Sequence, residues 1–239
     1  MNIETIKSGV KISSPVMISY IALGVACGIV LYDAGVTVLG IGIMSFFVYA
    51  GAGQFLAASM IVLGASIPSV ILMVFFLNLR HVLMSASLSS FVKEKSIGFI
   101  SLFSHVLTDE SYGLNYTKFR DGNWSPEEAM AMSLSTYATW VISTIVGGAV
   151  GSQFQVNTII MNYALIAMFS CMLVLQFISL EHLIAGLVSA GTTVLLMVLI
   201  QHNISLVIAT VFASFVGYYL EVRKNRRTKP DIEGSNEIE

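Results

Sequence analysis

The residues able to do chemistry in this chain are few, and they lie where they are costly. Asn78-Leu79-Arg80-His81 stands in the middle of an apolar run from Ile67 to Phe91. A permanently charged guanidinium midway along a membrane-length segment costs roughly 2.5–3.5 kcal/mol even on lenient insertion scales, so it must face a partner or a water-filled cavity. Two readings follow. A single carboxylate can neutralise Arg80 and merely hold helices together, or Arg80 lines a substrate or ion pathway. Asn78 and His81 beside it favour the pathway. The carboxylates on offer are Asp109 and Glu110, after the short run Ile97 to Leu107. A third cluster, Ala50-Gly51-Ala52-Gly53-Gln54-Phe55, breaks up the apolar stretch Val36 to Gly64. Its two glycines weaken a helix, and Gln54 can bond freed backbone groups or a ligand.

Other chemistries lack their residues. The chain has no Walker-type loop, no HExxH and no paired cysteine motif. Its four histidines, at 81, 105, 182 and 202, never pair at i, i+4, so no metal site is expected, and nothing implies a cofactor. Cys27 and Cys171 sit inside apolar runs and behave as small hydrophobes. The basic residues are sparse and lie at the ends of apolar runs, which argues against nucleic-acid binding. An intramembrane enzyme stays open as an alternative, with His81, His105, Asp109 and Glu110 as acid–base groups on a lipid-soluble substrate. A Gly-interrupted helix beside buried Asn, Arg and His is the commoner signature of a transporter. A pure scaffold subunit would not need so many buried polar groups.

The elements that position these residues are membrane helices. Of 239 residues, 56% are hydrophobic and 11% charged, against about 25% charged in soluble domains; mean hydropathy is +0.82. Long apolar runs from Pro15 to Leu220 make the chain an all-α, polytopic membrane protein with seven to eight membrane segments. The short alternating segments of a porin barrel are missing. Lys7 and Lys11 before an apolar run suggest a signal peptide, and Leu23-Gly24-Val25-Ala26-Cys27 faintly resembles a lipoprotein box. The run continues to Tyr32 and more segments follow, so it reads as the first transmembrane helix, Ser14 to Tyr32, with Pro15 in its first turn. Gly24 and Gly28 form a GxxxG, as do Gly147 and Gly151. Such faces allow close packing and would let another membrane helix approach.

Asp33-Ala34-Gly35 turns the chain into Val36–Gly64, about 29 residues where roughly 20 suffice to span. This is either one long tilted helix or a discontinuous helix broken near 50–55. Ser66-Ile67-Pro68 leads into the Asn-Leu-Arg-His segment. There Asn78, His81 and Ser85 fall within about 60° of one another on an ideal helix, and Arg80 points about 100° or more away from that face. Either the helix breaks there or its two faces serve different neighbours. Lys93-Glu94-Lys95 ends it. Ile97–Leu107 is too short to span, so the helix extends through Asp109 and Glu110 or is re-entrant over 97–112. Ser101, His105, Thr108, Asp109 and Tyr112 would then form one polar stripe, which supplies the carboxylate that Arg80 needs. Ser125-Pro126-Glu127-Glu128 starts a helix, and apolar runs follow at 129–151, 159–178, 182–200 and 204–220. Gln176, Glu181 and His182 read as mostly structural.

Five basic residues from Arg223 to Lys229 place that end in the cytoplasm, and Lys7, Lys11, Lys118 and Arg120 fit the same side. An even number of crossings satisfies this. Eight does so if 97–114 crosses, but it leaves Lys93 and Lys95 outside; seven with a re-entrant element is the fallback. Residues 1–220 form one transport domain, and 221–239 a polar cytoplasmic tail that is disordered.

Ala50-Gly51-Ala52-Gly53-Gln54-Phe55, then Asn78-Leu79-Arg80-His81 with Ser85 and Ser87, then Leu107-Thr108-Asp109-Glu110-Ser111-Tyr112 resemble the AzlC family in motif and order over nearly the whole chain. The third motif departs slightly, with Ser111-Tyr112-Gly113 in place of small-aromatic-small. That family is the large subunit of two-component branched-chain amino acid exporters of the bacterial cytoplasmic membrane. The resemblance implies export of Leu, Ile, Val and also Met, coupled to the proton gradient, and a small membrane partner of the AzlD type; other amino acids stay open as substrates. For such a substrate, Gly51, Gly53, Gln54 and Asn78 are the binding candidates, with Phe55, Phe75 and Leu79 as apolar walls. Arg80, His81, Asp109 and Glu110 are the candidates for buried charge and proton coupling.

Overall fold

Helix limits in this chain follow from backbone groups that must find partners without water. A computed structural model describes residues 2–153, 163, 170, 180–200, 208, 212, 213 and 215–219. Every regular element among them is a helix. Two units are defined, residues 1–166 and 167–239.

The first helix, α1 (Ile3–Asp33), begins eleven residues before the expected Ser14. The polar lead-in is helical because it packs: Gly9 lies against Met132, and the Ser13 hydroxyl meets that of Ser135 at 3.0 Å. Pro15 therefore falls mid-helix, where its missing N–H strands the carbonyl of Lys11. The Ser14 hydroxyl donates to that carbonyl at 2.8 Å.

Three further elements are long. α4 (Ile67–Val92) and α7 (Pro126–Gly151) have 26 residues each and, like α1, are long and apolar enough to cross a membrane. Ser125 and Glu128 close a capping box on α7. α1 and α7 run parallel: Gly24 faces Ser143, Gly28 faces Thr144 and Gly148, and Gly151 faces Ile29. A Cβ on Gly28 or Gly147 would strike the opposing backbone. The two GxxxG faces thus pack on each other, and the expectation that they receive a second subunit is corrected.

Between the long helices lie two pairs of short ones. α2 (Val38–Phe47) and α3 (Gly51–Val62) replace the single long helix with a discontinuous one. α2 descends along α7, with Ile41 near Gly148, the Ser45 hydroxyl 2.7 Å from Thr144 Oγ1, and Tyr49 beside Tyr137. α3 then turns back: Gln54 reaches Ser45, and Ala57 and Met60 pack on Val70 and Val74 of α4. α5 (Ile97–His105) and α6 (Asp109–Arg120) form the second pair. α5 starts where Lys95 pairs with Glu127 at the head of α7, and it ends with His105 against Tyr137. α6 returns, with Asn115 bonded to Ser133 and to Trp124. Helices of 9 to 12 residues are about 14–18 Å long, half a hydrocarbon core. The two pairs are hairpins that enter from opposite ends of the bundle and meet near its middle.

The re-entrant form of 97–112 is therefore the correct one, and 97–114 is not a crossing. One continuous polar stripe from Ser101 to Tyr112 does not exist, because the helix ends at His105 and restarts at Asp109. The Lys93–Lys95 turn lies at the same end as Lys7, Lys118 and Arg120, which removes the conflict that a crossing would create. In the second unit, α8 (Leu180–Ile200) coincides with the expected run 182–200, with Glu181 and His182 in its first turn. Gln176, the run 159–178, most of 204–220 and the tail 221–239 lie outside the described residues.

Candidate functional site

Each hairpin tip exposes backbone that a continuous helix would satisfy internally. At the first tip, residues 48–50, Tyr49 takes a left-handed φ of 42°, and Ala50 is extended with no side chain capping α3. The first intrahelical bond runs from the Gln54 N–H to the Ala50 carbonyl, so the N–H groups of Gly51, Ala52 and Gly53 have no intrahelical partner. The break lies just before the glycines instead of at them. The glycines serve close approach: a Cβ on Gly51 would stand 2.8 Å from the Trp140 ring. One on Gly53 would stand 3.2 Å from Val74 and 3.6 Å from the Asn78 amide nitrogen.

The structure thus brings Gly51, Gly53 and Asn78 to one place and turns Gln54 elsewhere. Gln54 is fully buried; its amide donates to Ser45 at 2.7 Å and accepts from the Trp140 indole N–H at 2.7 Å. Ser45 in turn meets Thr144. These bonds tie the first hairpin to α7. Phe55 is fully buried, whereas Phe75 and Leu79 are 58% and 42% exposed, so the three do not form one wall.

α4 stays helical through Asn78 and Arg80, so its two faces do serve different neighbours. Asn78 turns to the first hairpin. Arg80 turns to the second, its guanidinium 2.8 Å from the Asp109 carboxylate, with side chains 25% and 34% exposed. Two buried polar atoms here have no protein partner: the acceptor Asn78 Oδ1 and the donor Arg80 Nε. His81 is half-buried next to this pair and makes no hydrogen bond with any described residue.

The second tip, residues 106–108, is built for negative charge. Thr108 and Ser111 form a capping box, and Asp109 and Glu110 occupy the first turn of α6, where the helix dipole favours carboxylates. Glu110 accepts from the Tyr20 hydroxyl at 2.6 Å; the same hydroxyl is 2.8 Å from Thr108 Oγ1. The tips are linked through the Phe46 carbonyl at the end of α2. It lies 3.1 Å from His105 Nε2 and accepts from the Tyr137 hydroxyl at 2.8 Å. No group of three or more metal-ligating side chains exists among the described residues.

Sequence reasoning passes over Tyr20, Tyr49, Tyr137 and Trp140. The usable signal is that a Tyr or Trp far from the ends of an apolar segment carries a polar tip that needs a partner.

The family model described as AzlC protein matches residues 15–154. The chain is 32% identical over 151 residues to the inner membrane protein YgaZ of Escherichia coli, covering 62% of each. It is 26% identical over 200 residues to the branched-chain amino acid transport protein AzlC of Bacillus subtilis, covering 82% of this chain and 78% of that one. An uncharacterized membrane protein of Helicobacter pylori is 27% identical over 163 residues, covering 68% and 71%. No solved structure matches the chain significantly.

Proposed function

The chain belongs to the AzlC family, and from that membership we propose that it is the large subunit of a proton-coupled exporter of branched-chain amino acids in a bacterial inner membrane. The observation that carries the proposal is the junction of the hairpin tips at Asn78 and Arg80. A transported amino acid is a zwitterion, and the junction offers a free acceptor, Asn78 Oδ1, for its ammonium. For its carboxylate it offers Arg80 Nε and the uncapped N–H groups of Gly51–Gly53. The apolar side chain would lie along α4. Gln54 then acts by holding α3, Ser45 and Trp140 in register. The branched-chain preference and the outward direction rest on the family alone, as does the small AzlD-type partner.

The proton would travel on His81, the imidazole next to Arg80 on α4, and pass to Asp109 or Glu110. Arg80 pairs with Asp109. A substrate carboxylate would compete for that guanidinium and release Asp109 to take a proton, which couples the two movements.

The test is counterflow of labelled leucine in proteoliposomes containing this chain and its small partner, with and without a pH gradient. Wild type is expected to exchange leucine in both conditions and to accumulate it only with the gradient. His81→Ala is expected to exchange without accumulating. If leucine is neither bound nor moved with the partner present, the exporter reading fails and an intramembrane acid–base enzyme takes its place. If accumulation survives His81→Ala, the proton belongs to another residue, with Asp109 next to test.

A further inference from the structure

Among the four short helices, α6 alone is mostly polar. It starts beside Arg80, at the middle of α4, and its 12 residues run about 18 Å back to the basic end of the bundle. Only Leu114 and Phe119 offer a side chain without a polar tip. One side of α6 closes against its neighbours: Asn115 bonds Ser133 of α7, and Phe119 stacks on Phe91 of α4 at 4.7 Å. The other side stays open, with Glu110, Thr117 and Arg120 exposed and Tyr112 and Tyr116 half-buried.

On that open side the polar tips form a row. Arg80 pairs with Asp109, and the Ser87 hydroxyl of α4 meets the Tyr112 hydroxyl at 3.0 Å. The Tyr112 ring stacks on Tyr116 at 5.7 Å, and the Arg120 guanidinium stands over Tyr116 at 5.9 Å. Asp109, Tyr112, Tyr116 and Arg120 fall at i, i+3, i+7 and i+11, one stripe of a helix, while Arg80 and Ser87 are two turns apart on α4. Charges and hydroxyls on an open side at membrane depth do not rest against hydrocarbon, which cannot solvate them. We propose that the seam between α4 and α6 lines an aqueous lane from the basic end to Arg80 and Asp109, along which the amino acid reaches the junction. Arg120 offers a cation to its carboxylate at the mouth, and the serine and tyrosine hydroxyls offer donors and acceptors to both ends of a zwitterion. That the traveller is an amino acid rests on the exporter reading above; that the seam is wet does not.

The experiment is labelling of single cysteines with a charged, membrane-impermeant thiol reagent, on the full chain in inverted membrane vesicles. The unsubstituted chain, with Cys27 and Cys171, gives the background. Ser87→Cys changes one atom on the seam, five residues inside the end of α4. Ala86→Cys lies at nearly the same depth, exposed but about 100° round the helix among Leu79 and Val82. Ser87→Cys is expected to react at least about tenfold faster than Ala86→Cys, because the reagent needs water to arrive. Its modification is expected to stop leucine counterflow. If Ser87→Cys does not assemble, Tyr112→Cys is the second variant, with the same two expectations. Labelling no faster than at Ala86→Cys would overturn the lane, and fast labelling that leaves counterflow unchanged would overturn it as the substrate's path. If wild type moves no leucine, the exporter reading falls, while the labelling rates alone still decide whether the lane is there.

Discussion

Arg80 and Asp109 carry the clearest lesson at the scale of single residues. An arginine in an apolar segment announces that it needs an acid, and the sequence offers Asp109 and Glu110 in one turn. Which of the two pairs with it is a matter of helix phase at a break, and that is not visible in the sequence. The pair forms with Asp109, and Glu110 goes to Tyr20, a residue that looks like any other aromatic in an apolar run. Truncating one member of a buried pair costs about 3–5 kcal/mol because the other charge is left bare. Both side chains here keep part of their exposure, so Arg80→Ala should cost about 2–3 kcal/mol and abolish transport. The double change Arg80→Gln with Asp109→Asn should recover protein level, since neither charge remains. A fully expressed and active Arg80→Ala protein would contradict the pairing, as judged by size-exclusion profile and leucine counterflow.

At the scale of elements, the glycines divide into those that are needed and those that are not. The break before Gly51 was legible from the length of Val36–Gly64 and from its small-residue cluster, but the unwound residues are 48–50. The glycines sit just inside α3 because Trp140 and Val74 press on them, and tertiary packing of that kind leaves no local trace. Likewise, two GxxxG motifs promise close helix approach without saying to what; here they meet each other. Gly28→Ala would put a methyl group into the α7 backbone at Thr144, so it should lower the melting temperature in detergent and yield little protein. Gly113 in α6 has open space around the Cβ position. Gly113→Ala should be neutral or stabilising, by up to about 1 kcal/mol from helix propensity. A thermal shift assay on the two variants checks both, and equal stability would contradict the α1–α7 packing.

For the whole molecule, composition and run lengths reveal a polytopic helical protein, while the number of crossings depends on recognising two hairpins that never cross. Among the described residues three helices are long and apolar enough to cross a membrane, and 97–120 enters and leaves at one end. That end holds Lys7, Lys11, Lys93, Lys95, Lys118 and Arg120, interspersed with acids, and it is Lys and Arg that set the side expected to face the cytoplasm. Single cysteines at Glu94 and Asp121 should therefore react with an impermeant thiol reagent only from the cytoplasmic side, and one at Gly64 only from the other. A reversed or mixed pattern would refute the two-hairpin topology. Because the GxxxG faces are occupied within the chain, the small partner proposed above would dock elsewhere. Transport by this chain alone should be weak and restored by co-expressing that partner.

The central claim is that the junction of the two hairpin tips is where the amino acid binds. Direct binding of labelled leucine to the purified chain with its partner tests it, comparing wild type, Asn78→Leu and Gly113→Ala. Asn78→Leu keeps the branched heavy-atom skeleton and removes the free acceptor at Oδ1. Losing one hydrogen bond to a charged ammonium should weaken binding about 10- to 100-fold, while Gly113→Ala binds like wild type. If Asn78→Leu binds leucine as tightly as wild type, the junction is not the substrate site.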